Sequence, residues 1–82
     1  MEAVDIAKEL IKFDTSGPPA REQPCAEWIR DFLEDAGLET ELQVVEKDRA
    51  NVIGKIGQGK GPGLVLSGHI DVVLAGDPEL WK

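Results

Sequence analysis

His69 is the only histidine in the chain, and Asp71 stands two places on. In extended backbone, side chains two residues apart project from one face with their Cα atoms about 6–7 Å apart. A carboxylate at position 71 then reaches the ring at position 69, while Ile70 points away. An imidazole steadied at one nitrogen by an oxygen suits metal ligation, because the oxygen fixes the tautomer and raises the basicity of the other nitrogen. His69 is therefore the candidate metal ligand, and Asp71 the candidate catalytic residue that holds its ring. Two other readings share the pattern. One is a buried histidine paired with an aspartate for structure alone; the other is a Ser-His-Asp system with Ser67 as nucleophile. Ser67 falls on the His69 face but lacks the elbow or helix that presents a catalytic hydroxyl.

The elements that position this pair follow from hydrophobic spacing. Leu64-Val65-Leu66 is β-favouring and bounded by glycines, so it reads as a buried strand with His69 at its carboxyl end. Ligand sites gather at such ends in sheets with helical layers. Ala3, Ile6, Ala7, Leu10 and Ile11 place one apolar stripe on a helix predicted over 2–13. Asp14-Thr15-Ser16-Gly17-Pro18-Pro19 ends it as a rigid loop. A second stripe, Cys25, Trp28, Ile29, Phe32, Leu33 and Ala36, predicts a helix over 20–36, with Gly37 where a left-handed cap is wanted. Cys25 and Trp28 read as packing residues on that stripe.

Beyond Gly37 the period becomes two, with Leu38, Thr40, Leu42 and Val44 on one face of a strand. Residues 46–50 turn the chain, and 51–56 return as the second strand of an antiparallel hairpin. The glycine-rich run 57–63 invites a phosphate-loop reading, yet such loops lead into a helix, whereas a strand is expected here, and the Walker spacing is absent. It reads as a mobile turn. The order is helix, helix, strand, strand, strand, then an irregular tail through 74–82 carrying Trp81 with no closing element to bury it, as expected of an unfinished domain.

Composition narrows the function classes. Sixteen acidic against nine basic residues give a net charge of −7, which repels nucleic acid and anionic lipid surfaces. With 82 residues the chain buries only about 60–65% of its unfolded surface, so a thin stability margin is expected. The single cysteine excludes an internal disulfide, the start Met-Glu-Ala-Val-Asp is unlike a secretion signal, and no apolar run spans a bilayer. The expectation is a cytoplasmic protein with neither nucleic-acid nor membrane partners.

Ser67-Gly68-His69-Ile70-Asp71-Val72-Val73, followed by Ala75-Gly76-Asp77-Pro78 and Trp81, closely resembles the first metal-site motif of one family of zinc-dependent amidohydrolases. That family includes aminoacylases, glutamate carboxypeptidases, acetylornithine deacetylases and succinyl-diaminopimelate desuccinylases. Leu10-Ile11 with Asp14-Thr15-Ser16-Gly17-Pro18-Pro19, Ala36-Gly37-Leu38 and Arg49-Ala50-Asn51-Val52-Ile53-Gly54 resemble it too, in the right order. Leu74 stands where the family usually has proline.

The resemblance implies an α/β chain: two amino-terminal helices packed on a small β-sheet, an incomplete part of a zinc-peptidase-like catalytic domain, with 1–82 as its amino-terminal portion. It implies that His69 ligates one zinc of a two-metal site and that Asp71 holds its imidazole. Cobalt or manganese can use the same ligand types. The family's other ligands and its general base lie downstream of this motif. The resemblance further implies a parent that cleaves an N-acyl or peptide amide of a small amino-acid substrate, while these residues alone are expected to be inactive and to bind metal weakly or not at all. The competing expectation is a non-catalytic interaction module derived from a hydrolase. On either view an exposed sheet edge favours self-association.

Overall fold

The first helix, α1 (Ala3–Leu10), is opened by the Glu2 N–H, which donates to the Asp5 carboxylate at 3.1 Å. It is shorter than the predicted 2–13. Lys12 and Phe13 donate to Glu9 and Leu10 at 3.3 and 3.2 Å, three residues back, so the chain leaves the helix through tightened turns. None of its residues is buried, and Ile11 is exposed. The structure, a computed structural model, describes residues 1–57 and 59–81; Gln58 of the expected glycine turn and Lys82 of the expected tail lie outside the described residues.

The second helix, α2 (Gln23–Asp35), begins three residues later than predicted. Pro24 sits in its first turn, where a missing N–H leaves no intrahelical bond unmade. Cys25 and Ala26 are buried, and Trp28 stacks on Phe32 with ring centroids 5.5 Å apart. Gly37 takes the left-handed conformation expected of it, φ 94°. Its N–H donates to the Glu34 carbonyl at 2.9 Å, and the Leu38 N–H reaches back to the Leu33 carbonyl at 3.0 Å, the paired bonds of a Schellman cap.

The expected antiparallel hairpin is present as β2 (Glu39–Glu46) and β3 (Arg49–Lys55), in register from Glu39 opposite Lys55 to Val44 opposite Ala50. A bulge between Val44 and Glu46 then sets Glu46 opposite Arg49. The connection is Lys47-Asp48, with Asp48 at φ 63°. Helix α2 packs across both strands. A Cβ on Gly54 would lie 2.9 Å from Leu33 Cδ1 and 3.1 Å from Leu38 Cδ2, so the missing side chain is what lets these leucines close on the strand. The Gln23 N–H donates to the Asp48 carbonyl at 3.0 Å and ties the start of α2 to the hairpin turn.

Two expectations are corrected. Leu64-Val65-Leu66 is not a strand and is not buried: these residues have no regular structure and are 84–87% exposed. A strand needs a neighbour for its N–H and C=O groups, and among the described residues no strand lies alongside this run. The third pairing forms elsewhere. β1 (Ser16–Gly17), inside the segment read as a loop, pairs in parallel with β4 (Val72–Val73), Ser16 opposite Val72 and Gly17 opposite Val73. The single small sheet with both helices packed on it is therefore replaced, among the described residues, by two separate two-stranded sheets, one of which α2 covers. A short 3₁₀ turn (Pro78–Leu80) follows, opened by the Asp77 carboxylate, which accepts from the Glu79 N–H at 2.9 Å. The chain is α/β, and among the described residues no helix is long and apolar enough to cross a membrane.

Candidate functional site

The segment carrying His69 and Asp71 is anchored from its carboxyl side. The Val72 N–H donates to the buried Thr15 carbonyl at 3.1 Å, and the β1–β4 pairing holds the two residues after Asp71. His69 therefore lies just ahead of a short strand rather than at the end of a buried one, which corrects the expected placement. Gly17, in β1, also leaves room for the chain to fold back closely after it. A Cβ there would sit 2.5 Å from the Ala20 nitrogen and 2.8 Å from the Ala20 Cα, backbone atoms that cannot swing aside. The Asp14 carboxylate braces the start of β1, accepting from the Ser16 hydroxyl and, at 3.1 Å, from the Ser16 N–H. These bonds, the hydroxyl first, hold the Asp14 carboxyl below the usual carboxylate range.

His69 and Asp71 meet. The His69 Nδ1 is 2.8 Å from the Asp71 main-chain carbonyl and 3.3 Å from the Asp71 carboxylate Oδ1. A carbonyl oxygen accepts and never donates, so Nδ1 carries the proton and the lone pair of the neutral ring is on Nε2. The ring is largely exposed, 81% at the side chain. No hydrogen bond joins Ser67 to it among the described residues, so the nucleophile reading gains no geometry.

Two residues outside the sequence-based candidates complete the cluster. Arg49, the first residue of β3, places a guanidinium nitrogen 3.6 Å from Asp71 Oδ2. Its Nε donates to the Glu22 carboxylate at 3.0 and 3.3 Å. Glu22 is the residue ahead of α2 and is buried, 7% exposed. Side chains from the α2 start, the β3 start and the segment before β4 thus form one line: Glu22, Arg49, Asp71, His69. The sequence does not single out Glu22, and marks Arg49 only as part of a turn and of the family-resembling run 49–54. Neither spacing nor periodicity distinguishes them, and their signal is the ion pair itself.

Arg49, Asp71 and His69 border a cleft of about 1000 Å³ that is also lined by Pro18, Pro19, Arg21 and Lys47 among others. Among the described residues no three His, Cys, Asp or Glu side chains converge to hold a metal ion. Zinc sites use three or four protein ligands, so one imidazole with a carboxylate behind it does not enclose a metal. Cys25 is no donor here: it is a free thiol, 2% exposed on the packed face of α2, and burial pushes its pKa up.

No family model matches the chain, and no solved structure matches it significantly. Curated proteins do. The chain is similar to an N-formyl-4-amino-5-aminomethyl-2-methylpyrimidine deformylase from Bacillus subtilis, 33% identical over 88 aligned positions that take in 99% of this chain and 20% of that protein. It is similar to proteins named probable succinyl-diaminopimelate desuccinylase, from Staphylococcus epidermidis at 31% identity and Staphylococcus aureus at 30%, each over 98% of this chain and 19% of the relative. The chain spans about one fifth of the length of these relatives. Running through the helices, the hairpin and the His69–Asp71 segment alike, these alignments make the desuccinylases and the deformylase, proteins of one amidohydrolase family, homologues of the chain over its full length.

Proposed function

We propose that this chain is a segment of the catalytic domain of a metal-dependent amidohydrolase, in which His69 supplies one ligand through Nε2 and Asp71 holds the ring. The observation that carries this reading is the state of the imidazole. Its Nδ1 is engaged by Asp71, its Nε2 is left with a lone pair, and the ring stands at the edge of an open cleft. A bound metal in such enzymes polarises the amide carbonyl and generates hydroxide. What these residues contribute is narrower: Asp71 fixes the tautomer, and the β1–β4 pairing fixes the backbone that carries both side chains.

The relatives' names describe removal of an N-formyl group and of a succinyl group, which favours deacylation of a small acylated amine or amino acid over cleavage within a peptide. Zinc is the metal we infer, with cobalt and manganese compatible with the same ligand types. We infer a cytoplasmic setting, and the net charge of −7 disfavours nucleic-acid partners. The donor set described here falls short of the ~10–16 kcal/mol of a structural zinc site. The isolated chain is therefore expected to bind zinc weakly and to hydrolyse no amide. Calorimetry on the monomer tests this: stoichiometric submicromolar binding contradicts it, and so does any zinc-dependent deacylation.

A second reading has its own observation. Leu64, Val65 and Leu66 are 84–87% exposed, Val73, Leu74 and Trp81 are exposed as well, and this much uncovered apolar surface favours association with another chain. We infer that the isolated chain self-associates, whatever the longer protein does.

A further inference from the structure

We infer that Arg49 is a positioning residue for the His69–Asp71 pair, with Glu22 as its buried anchor, an inference that rests on the function proposed above. A carboxylate two residues from a histidine has rotational freedom about its own bonds, so proximity in sequence does not decide which oxygen faces the ring. In this molecule the division is made by charge. Asp71 Oδ1 faces His69 Nδ1 at 3.3 Å, and Asp71 Oδ2 faces the Arg49 guanidinium at 3.6 Å. A guanidinium is a planar fork with donors on several edges, and it can serve two carboxylates at once in fixed geometry. Arg49 uses Nε for Glu22 and a terminal nitrogen for Asp71.

The anchor is stiff for physical reasons. Glu22 is 7% exposed and lies where the Gln23 N–H is tied to the Asp48 carbonyl, so the carboxylate cannot leave for water without opening the join between α2 and the hairpin turn. Arg49 begins β3 opposite Glu46, and the next residue, Ala50, is buried. Both ends of the Glu22–Arg49 pair are thus set by packed backbone, while the Asp71 side chain is half exposed and, among the described residues, only the Arg49 and His69 side chains face its carboxylate. Arg49 transmits the position of the α2–hairpin unit to the site segment, which the β1–β4 pairing fixes only from its far side.

The consequence is a readout that depends on neither metal nor substrate. At about pH 8.5, above the ordinary imidazole range, long-range ¹H–¹⁵N spectra of the 82-residue chain report the ratio of Nδ1–H to Nε2–H tautomers of its single histidine. The Nδ1–H form is expected to dominate in the unaltered chain. The Asp71 main-chain carbonyl at 2.8 Å holds the Nδ1 proton and the carboxylate Oδ1 at 3.3 Å reinforces it, so Arg49→Gln, which frees the carboxylate to turn away, is expected to lower the ratio roughly two- to five-fold, the range of a half-exposed ion pair. In an Asp71→Asn background the same Arg49→Gln change is expected to have no further effect, and Arg49→Lys is expected to restore part of the ratio.

A merely structural role for Arg49 would lower the folded fraction without this dependence on Asp71. If Arg49→Gln fails to fold because Glu22 is left buried and unpaired, Glu22→Gln with Arg49→Gln removes that problem and is expected to show the same shift. An unchanged ratio in either folded variant, or an equal shift with and without the Asp71 carboxylate, overturns the inference about Arg49 and leaves the proposed function standing. A dominant Nε2–H form in the unaltered chain overturns the proposed function as well, since the outer nitrogen would then have no free lone pair.

Discussion

Replacing Arg49 with methionine keeps most of the side chain's apolar stem and removes its charge, leaving the Glu22 carboxylate, 7% exposed, without the donor now at 3.0 and 3.3 Å. Breaking one partner out of a fully buried ion pair costs about 3–5 kcal/mol. The Arg49 side chain is 39% exposed, so water reaches one side of the pair and the cost is reduced to roughly 1.5–3 kcal/mol. Against a total stability of roughly 4–12 kcal/mol for a chain of this length, that is a large fraction. The buried apolar residues are few and small, Ala20, Cys25, Ala26 and Ala50, which leaves little to absorb the loss. Urea denaturation followed by tryptophan fluorescence measures it. Glu22→Gln together with Arg49→Met is expected to recover most of the stability, because no buried charge remains. A loss under about 0.5 kcal/mol for Arg49→Met, the size seen for solvated surface pairs, refutes the reasoning. So would a double variant no more stable than the single one.

Gly17→Ala is expected to cost about 1–3 kcal/mol, since the new methyl meets the Ala20 backbone at 2.5–2.8 Å, and hydrogen exchange at the Val72 N–H is expected to speed up as β1 releases β4. Unchanged exchange at Val72 contradicts the role given to that pairing. The Asp14 carboxyl is held low in the folded chain by Ser16, so it binds its proton less readily there than when unfolded; its contribution is present above the unfolded pKa and lost as pH falls through the folded one. The stability gap between the unaltered chain and Asp14→Asn is accordingly expected to close on acidification, and a gap constant across the acid range counts against it. Sedimentation at rising concentration is expected to show oligomers held by the exposed Leu64–Leu66 region, diminished by Leu64→Lys with Leu66→Lys; a pure monomer throughout removes that expectation.

What could be read ahead of the structure was local. The α2 stripe, the Gly37 cap and the reversal expected within 46–50 each depend on residues within a few places of one another, and each is present, the reversal narrowed to Lys47-Asp48. The pairing of Ser16–Gly17 with Val72–Val73 joins two-residue strands more than fifty positions apart, and no periodicity develops in two residues. Leu64-Val65-Leu66 misled for the complementary reason: β-propensity records that side chains suit a pleated sheet, and it is silent on whether a neighbouring strand exists. The approach of Asp71 to His69 followed from their spacing. The main-chain carbonyl that joins the carboxylate in facing Nδ1 did not, because it depends on how the backbone turns after Ile70. Glu22 and Arg49 are 27 positions apart and chemically ordinary, and only the folded chain brings them together.

The most direct test of the central claim is metal content. This chain would replace the matching fifth of the Staphylococcus epidermidis relative, and the purified protein would be analysed for bound zinc with His69 present and after His69→Ala. The account predicts that the chimera carries metal and that His69→Ala lowers its content with the protein still folded. Equal metal content in the two would contradict it.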